Sequence, residues 1–165
     1  MKIALRIAGL AILAGVGFWL WTVFFPSPEQ AVLKRIAALS ATATMGANEG
    51  AIVRASKVSS LIGFFSTDAE INYDIPGVGA GSWSGRDEIR ESAAGGFSRA
   101  AALSVQFMDV IVRVGADRQS AEVSCTARVN TGDSKDLGIQ ELRFQFKKFD
   151  RDWLITRVET VKTLH

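Results

Sequence analysis

One cysteine, one histidine, one tyrosine and three prolines are all that the 165 residues hold of those types. Each scarcity removes a class of chemistry. A lone Cys125 cannot form an intrachain disulfide, and as a small apolar residue it belongs in a core. The single histidine, His165, stands at the last position, where order is least expected. A Ser-His-Asp triad, a Cys-His pair and a multi-histidine metal site therefore lack members, and neither a metal nor a cofactor is expected. Charge of one sign is also missing, with 19 Lys and Arg against 17 Asp and Glu. Setting aside Lys2 and Arg6 leaves 17 against 17, without the basic stripe that phosphate neutralisation needs. Nucleic acid is not an expected partner.

Apolar residues are plentiful, at 48% with a mean hydropathy of +0.18, and the excess lies before Pro26. Ile7 to Phe25 reads IAGLAILAGVGFWLWTVFF, nineteen residues without a charge, close to the length that crosses a ~30 Å hydrocarbon core at 1.5 Å per residue. Trp19 and Trp21 suit the membrane interface, and Pro26-Ser27-Pro28 ends the run. A cleaved signal peptide would have a shorter apolar region followed by small residues. Thr22-Val23-Phe24-Phe25 does not match that pattern. The expected organisation is a transmembrane anchor over 1–26 and one domain over 27–165. Lys2 and Arg6 favour a cytoplasmic start and an extracytoplasmic domain, although Lys34 and Arg35 after the span weaken the asymmetry.

The domain opens with Ser27-Pro28-Glu29-Gln30, a helix-start signature. Val32, Ile36, Leu39 and Ala43 recur at helical spacing, and Gly46 is the expected stop. Ile52, Ala55, Val58, Ile62 and Phe65 predict a second amphipathic helix after Asn48. Glu70 to Ile75 alternates as a half-buried strand closed by Pro76-Gly77. The run from Gly77 to Gly85 is expected as a flexible connection into a third helix, capped by Ser84 and shortened by Gly95-Gly96. Four strands follow at about 102–114, 119–131, 138–149 and 153–164, separated by turn residues. Their alternation gives one apolar and one polar sheet face. The predicted class is α+β, an antiparallel sheet with about three helices gathered on one face.

That order resembles the nuclear transport factor 2-like family, which includes ketosteroid isomerases and polyketide cyclases. The likeness is carried by Ser84-Gly85-Arg86-Asp87-Glu88-Ile89-Arg90-Glu91 opening the third helix and by Asp150-Arg151-Asp152-Trp153-Leu154-Ile155 at the last turn, and it spans residues 27–165. The resemblance implies a curved sheet wrapped against helices around a conical cavity. It implies much less about function, since members range from isomerases to carriers and assembly proteins. Where the isomerases carry a first-helix tyrosine this chain has Ile36, near their sheet acid it has Gln145, and at their strand-end base it has Tyr73 or Asp74. Ile36 cannot donate the hydrogen bond that stabilises a dienolate. Strand alternation turns Tyr73 inward with Ile71, so Asp74 reaches the cavity only if a bulge shifts the phase.

Asp74 is the candidate general base and Tyr73 the candidate positioning group. Tyr73, Trp83, Phe144 and Phe146 are the candidate ligand-lining residues. The GVGAGSWSG run is not a phosphate loop, because Ser82 or Ser84 occupies the last glycine position of G-x-G-x-x-G. Glu122, Arg128, Glu141, Arg143, Arg157 and Glu159 read as cross-strand pairs on a wetted sheet face, or as the surface of a homodimer. The expected function is non-catalytic binding of a small apolar ligand or a partner protein by a membrane-tethered domain. The alternatives are an isomerase, cyclase or dehydratase, and an envelope assembly component.

Overall fold

The computed structural model describes residues 27–75, 79–132 and 138–161, together with Gly15. The expected anchor, Ile7 to Phe25, lies outside these residues apart from Gly15. Among the described residues no helix is long and apolar enough to cross a membrane.

Helix α1 spans Pro28–Ala43; the Ser27 hydroxyl accepts from the Gln30 N–H at 3.3 Å. It buries Val32, Ile36 and Leu39. It ends before Gly46 because the next residues are drawn to the sheet. Thr44 Oγ1 accepts from the Val105 N–H at 3.2 Å, and Met45 exchanges both backbone hydrogen bonds with Leu103. Helix α2, Ala51–Ile62, buries only Val58 and Ile62. Ile52, expected to face inward, is 86% exposed.

Strand β1 runs over Phe65–Ile75, so Phe65 belongs to the sheet and not to α2. The glycine-rich run is also a strand, β2 over Gly79–Ser84, in place of the expected flexible connection. Its register with β1 is unbroken from Glu70↔Ser84 to Ile75↔Gly79. Pairing with a long neighbour supplies the order that glycine propensity denies. Helix α3, Gly85–Arg99, starts on a left-handed Gly85 (φ +78) and continues through Gly95 and Gly96. Burial of Ile89 and Phe97 outweighs the cost of two helical glycines, about 1 kcal/mol each.

The remaining strands are β3 Ser104–Val114, β4 Ser120–Asn130, β5 Gly138–Phe149 and β6 Asp152–Thr160. The six-stranded sheet has the order β2-β1-β6-β5-β4-β3, with only β1 and β6 parallel. Register shifts in β1, β3 and β6 bend it around the helices. In β3 the extra residues include Asp109, held at φ +52.

Two rows of side chains cross the sheet. Ile71, Val158, Phe144, Val123 and Val112 stand in register on the apolar face, against the helices. Glu70, Arg157, Gln145, Glu122 and Arg113 form the matching row on the other face. The fold is α+β, with three helices and one curved sheet among the described residues.

Candidate functional site

Tyr73 and Trp83 meet on the apolar face of the β1–β2 hairpin. Trp83 pairs with Ile71 and Gly81 with Tyr73, so both aromatic side chains rise on one side. Their ring centroids lie 4.6 Å apart with planes inclined by 34°, and both residues are half-buried. Glycine at 81 makes this possible. A Cβ there would stand 2.6 Å from Tyr73 Oη and 2.8 Å from its Cζ, so the phenol ring fills the space a side chain would take.

Phe144 and Phe146 are placed differently, at 3% and 1% exposure inside the core. Phe144 packs edge-on to Phe107 at 5.6 Å, and Phe146 lies 6.3 Å from Phe144. The four aromatics therefore divide into a half-exposed pair at one sheet edge and a buried pair at its centre.

Asp74 follows strand phase. With no shift in the β1–β2 register, it shares the face of Glu70 and Asn72, opposite Tyr73. Its backbone N–H donates to Thr160 Oγ1 at 2.8 Å. Ile36 is a core residue, 3% exposed. Gln145 is exposed in the polar row between Glu122 and Arg157. Of the positions aligned with isomerase groups, Ile36 lies in the core and Tyr73 on the apolar face, while Asp74 and Gln145 are on the other face.

The polar row is laced by ion pairs. Glu122 stands 3.6 Å from Arg113 and 3.9 Å from Arg143; Arg157 pairs with Glu70 and, at 3.3 Å, with Glu159. The Glu70 carboxylate hydrogen-bonded to Arg157 raises that guanidinium's already high pKa. Arg128 Nε is buried with no hydrogen-bond partner among the described residues.

A second polar cluster had no local sequence signal. Glu49 Oε1 accepts from Lys57 Nζ at 2.6 Å and from the Gly46 N–H at 2.9 Å, while Lys57 also donates to the Thr44 carbonyl at 2.7 Å. The Lys57 hydrogen bond, helped by that of Gly46, holds the Glu49 carboxyl below its ordinary range. Arg54 donates to the carbonyls of Glu49, Phe97 and Ala100 at 2.9, 2.7 and 3.2 Å. These bonds tie the α1–α2 connection to the end of α3. The groove beside them, about 450 Å³, is floored by Val58 and Phe97.

Cys125 is buried, and burial pushes its thiol up to about 11. It is protonated at neutral pH and is a poor nucleophile. Among the described residues no three His, Cys, Asp or Glu side chains gather to hold a metal ion.

No protein-family model matches the chain, and no curated protein does. Solved structures do match. A nuclear transport factor 2-like protein of unknown function from Pseudomonas putida aligns with a TM-score of 0.64 at 11% identity, over 83% of this chain and 87% of that one. A proposed aromatic ring hydroxylase from Novosphingobium aromaticivorans gives 0.62 at 16%, over 83% and 90%. A proposed scytalone dehydratase from the same organism gives 0.59 at 17%, over 82% and 83%. The fold is nuclear transport factor 2-like. At such identities the likeness concerns backbone architecture, and nuclear transport factor 2-like folds carry unrelated chemistries.

Proposed function

We propose that this chain is a membrane-tethered, non-catalytic binder of a small apolar molecule, with Tyr73 and Trp83 as the platform for the ligand. The observation that carries the reading is the half-buried aromatic pair on the apolar face, with Asp74 and Gln145 both on the opposite face. An apolar ligand laid on these rings removes surface from water at roughly 25 cal/mol per Å². Ring stacking adds about 0.5–1.5 kcal/mol. Asp74, in phase with Glu70 and Asn72, is poorly set to take a proton from such a ligand. The tether rests on the uncharged run Ile7 to Phe25, with the amino terminus cytoplasmic and the domain outside.

The test uses the full chain in detergent micelles with an apolar fluorescent dye that partitions negligibly into them. Trp83→Ala is expected to weaken dye binding about tenfold, the equivalent of 1.4 kcal/mol, and Asp74→Asn to leave it unchanged. Equal affinity in wild type and Trp83→Ala overturns the platform. An enzyme in this fold would instead show turnover that Asp74→Asn abolishes while binding survives. For the tether, alkaline carbonate should fail to release the protein from membranes.

A further inference from the structure

The outer side of the α1–α2 layer is unlike the polar sheet face. Among the described residues six large apolar side chains are exposed, and three of them, Leu33, Ile52 and Val53, stand on these two helices. Leu33, Ala37 and Ala41 repeat every four residues along α1 and are all exposed, so they form one stripe. At its far end Ala41 meets Ile52, Val53 and Ser56 of α2 across a groove of about 550 Å³. Of the basic residues on these helices Lys34 is exposed, whereas Arg35, Arg54 and Lys57 are half-buried and donate within the fold. Arg35 donates to the Trp153 and Gly63 carbonyls, Arg54 to those of Phe97 and Ala100, and Lys57 to Glu49. The outer layer is therefore mainly apolar, with Lys34 exposed on α1 and Glu29 in that helix's first turn.

Its covering is indicated by what precedes it. The uncharged run ends at Phe25, and α1 begins at Pro28, so its start lies within about 10 Å of the end of that run. Ser27 is extended (φ −58, ψ 150) and caps α1 afresh. The helix axis therefore need not continue the direction of the preceding chain, and α1 can lie flat on a bilayer that the run enters.

We propose that the outer α1–α2 face lies on the lipid headgroup surface, with Ile52 and Val53 reaching the acyl boundary and Lys34 at the headgroup level. This rests on the tether reading. A second copy is the competing occupant, whereas the uncharged run that ends within about 10 Å of α1 brings a bilayer to this face without a partner chain.

The experiment uses the full chain in lipid nanodiscs containing phosphatidylglycerol, with Ile52→Cys or, on β5, Ile139→Cys as the reporter for a water-soluble maleimide. Both positions are exposed, at 86% and 60%, so neither substitution threatens the core. The Ile52→Cys thiol is expected to react about tenfold more slowly than the Ile139→Cys thiol in discs and at a similar rate after transfer to detergent. Equal rates in discs, with the chain still co-eluting with the lipid, overturn this proposal alone. A chain that leaves the discs in high salt overturns the tether and this proposal together. Protection that survives in detergent and disappears on dilution assigns the face to a second copy and also overturns it.

Discussion

At the scale of single residues, the absence of an atom matters as much as any group present. Gly81 leaves the space in which the Tyr73 ring lies, and that ring brings its phenol against Trp83. Gly81→Ala should push the ring aside and separate the pair. The expected outcome is a shifted tryptophan emission and dye affinity reduced several-fold, with the fold intact; unchanged emission and affinity count against the geometry. Glu49 illustrates a charge effect with a definite sign. Its carboxyl is held below the ordinary value of 4.5 by Lys57. The stability it contributes is therefore present above about pH 4.5 and lost as pH falls through the folded-state value. Wild type should melt above Glu49→Gln at about pH 7, and the difference should shrink at about pH 3. Neither position stood out in the sequence, because each depends on a partner brought up by a turn or a second strand.

At the scale of elements, most of the chain was legible from pattern alone. Ser27 and Pro28 start α1, and the last four strands lie within a few residues of their expected limits, since caps and alternation are local physics. The failures occurred where tertiary contacts overrode local preference. Gly79–Ser84 is a strand because β1 offers it a ladder, and α3 passes its two glycines because Phe97 must reach the core. At Gly96 a Cβ would meet nothing within 4 Å. Gly96→Ala should therefore stabilise the protein by about 0.5–1 kcal/mol through helix propensity and a less flexible unfolded chain. Denaturant titration checks this, with a higher midpoint and an unchanged slope.

At the scale of the whole molecule, the core cluster runs from Val32 to Val158 and draws on all three helices and the sheet. A fragment starting at Ser27 is expected to unfold in one cooperative transition. A non-cooperative urea curve, or a collapsed product that binds dye without fixed side-chain signals, would contradict that boundary. The sequence by itself determined the α+β class, the order of most elements, the inward phase of Ile71, Tyr73, Phe144 and Phe146, and the scarcity of histidine and cysteine. Composition and periodicity report what each segment buries, and those quantities are local. Only the tertiary structure decided that the glycine-rich run is an edge strand, that Tyr73 stacks on Trp83 while Phe144 and Phe146 stay in the core, and that Asp74 keeps to the polar phase. Each of these depends on register between strands distant in sequence or joined by an unpatterned turn. Register is settled by the packing of the whole sheet against its helices, which no single segment encodes.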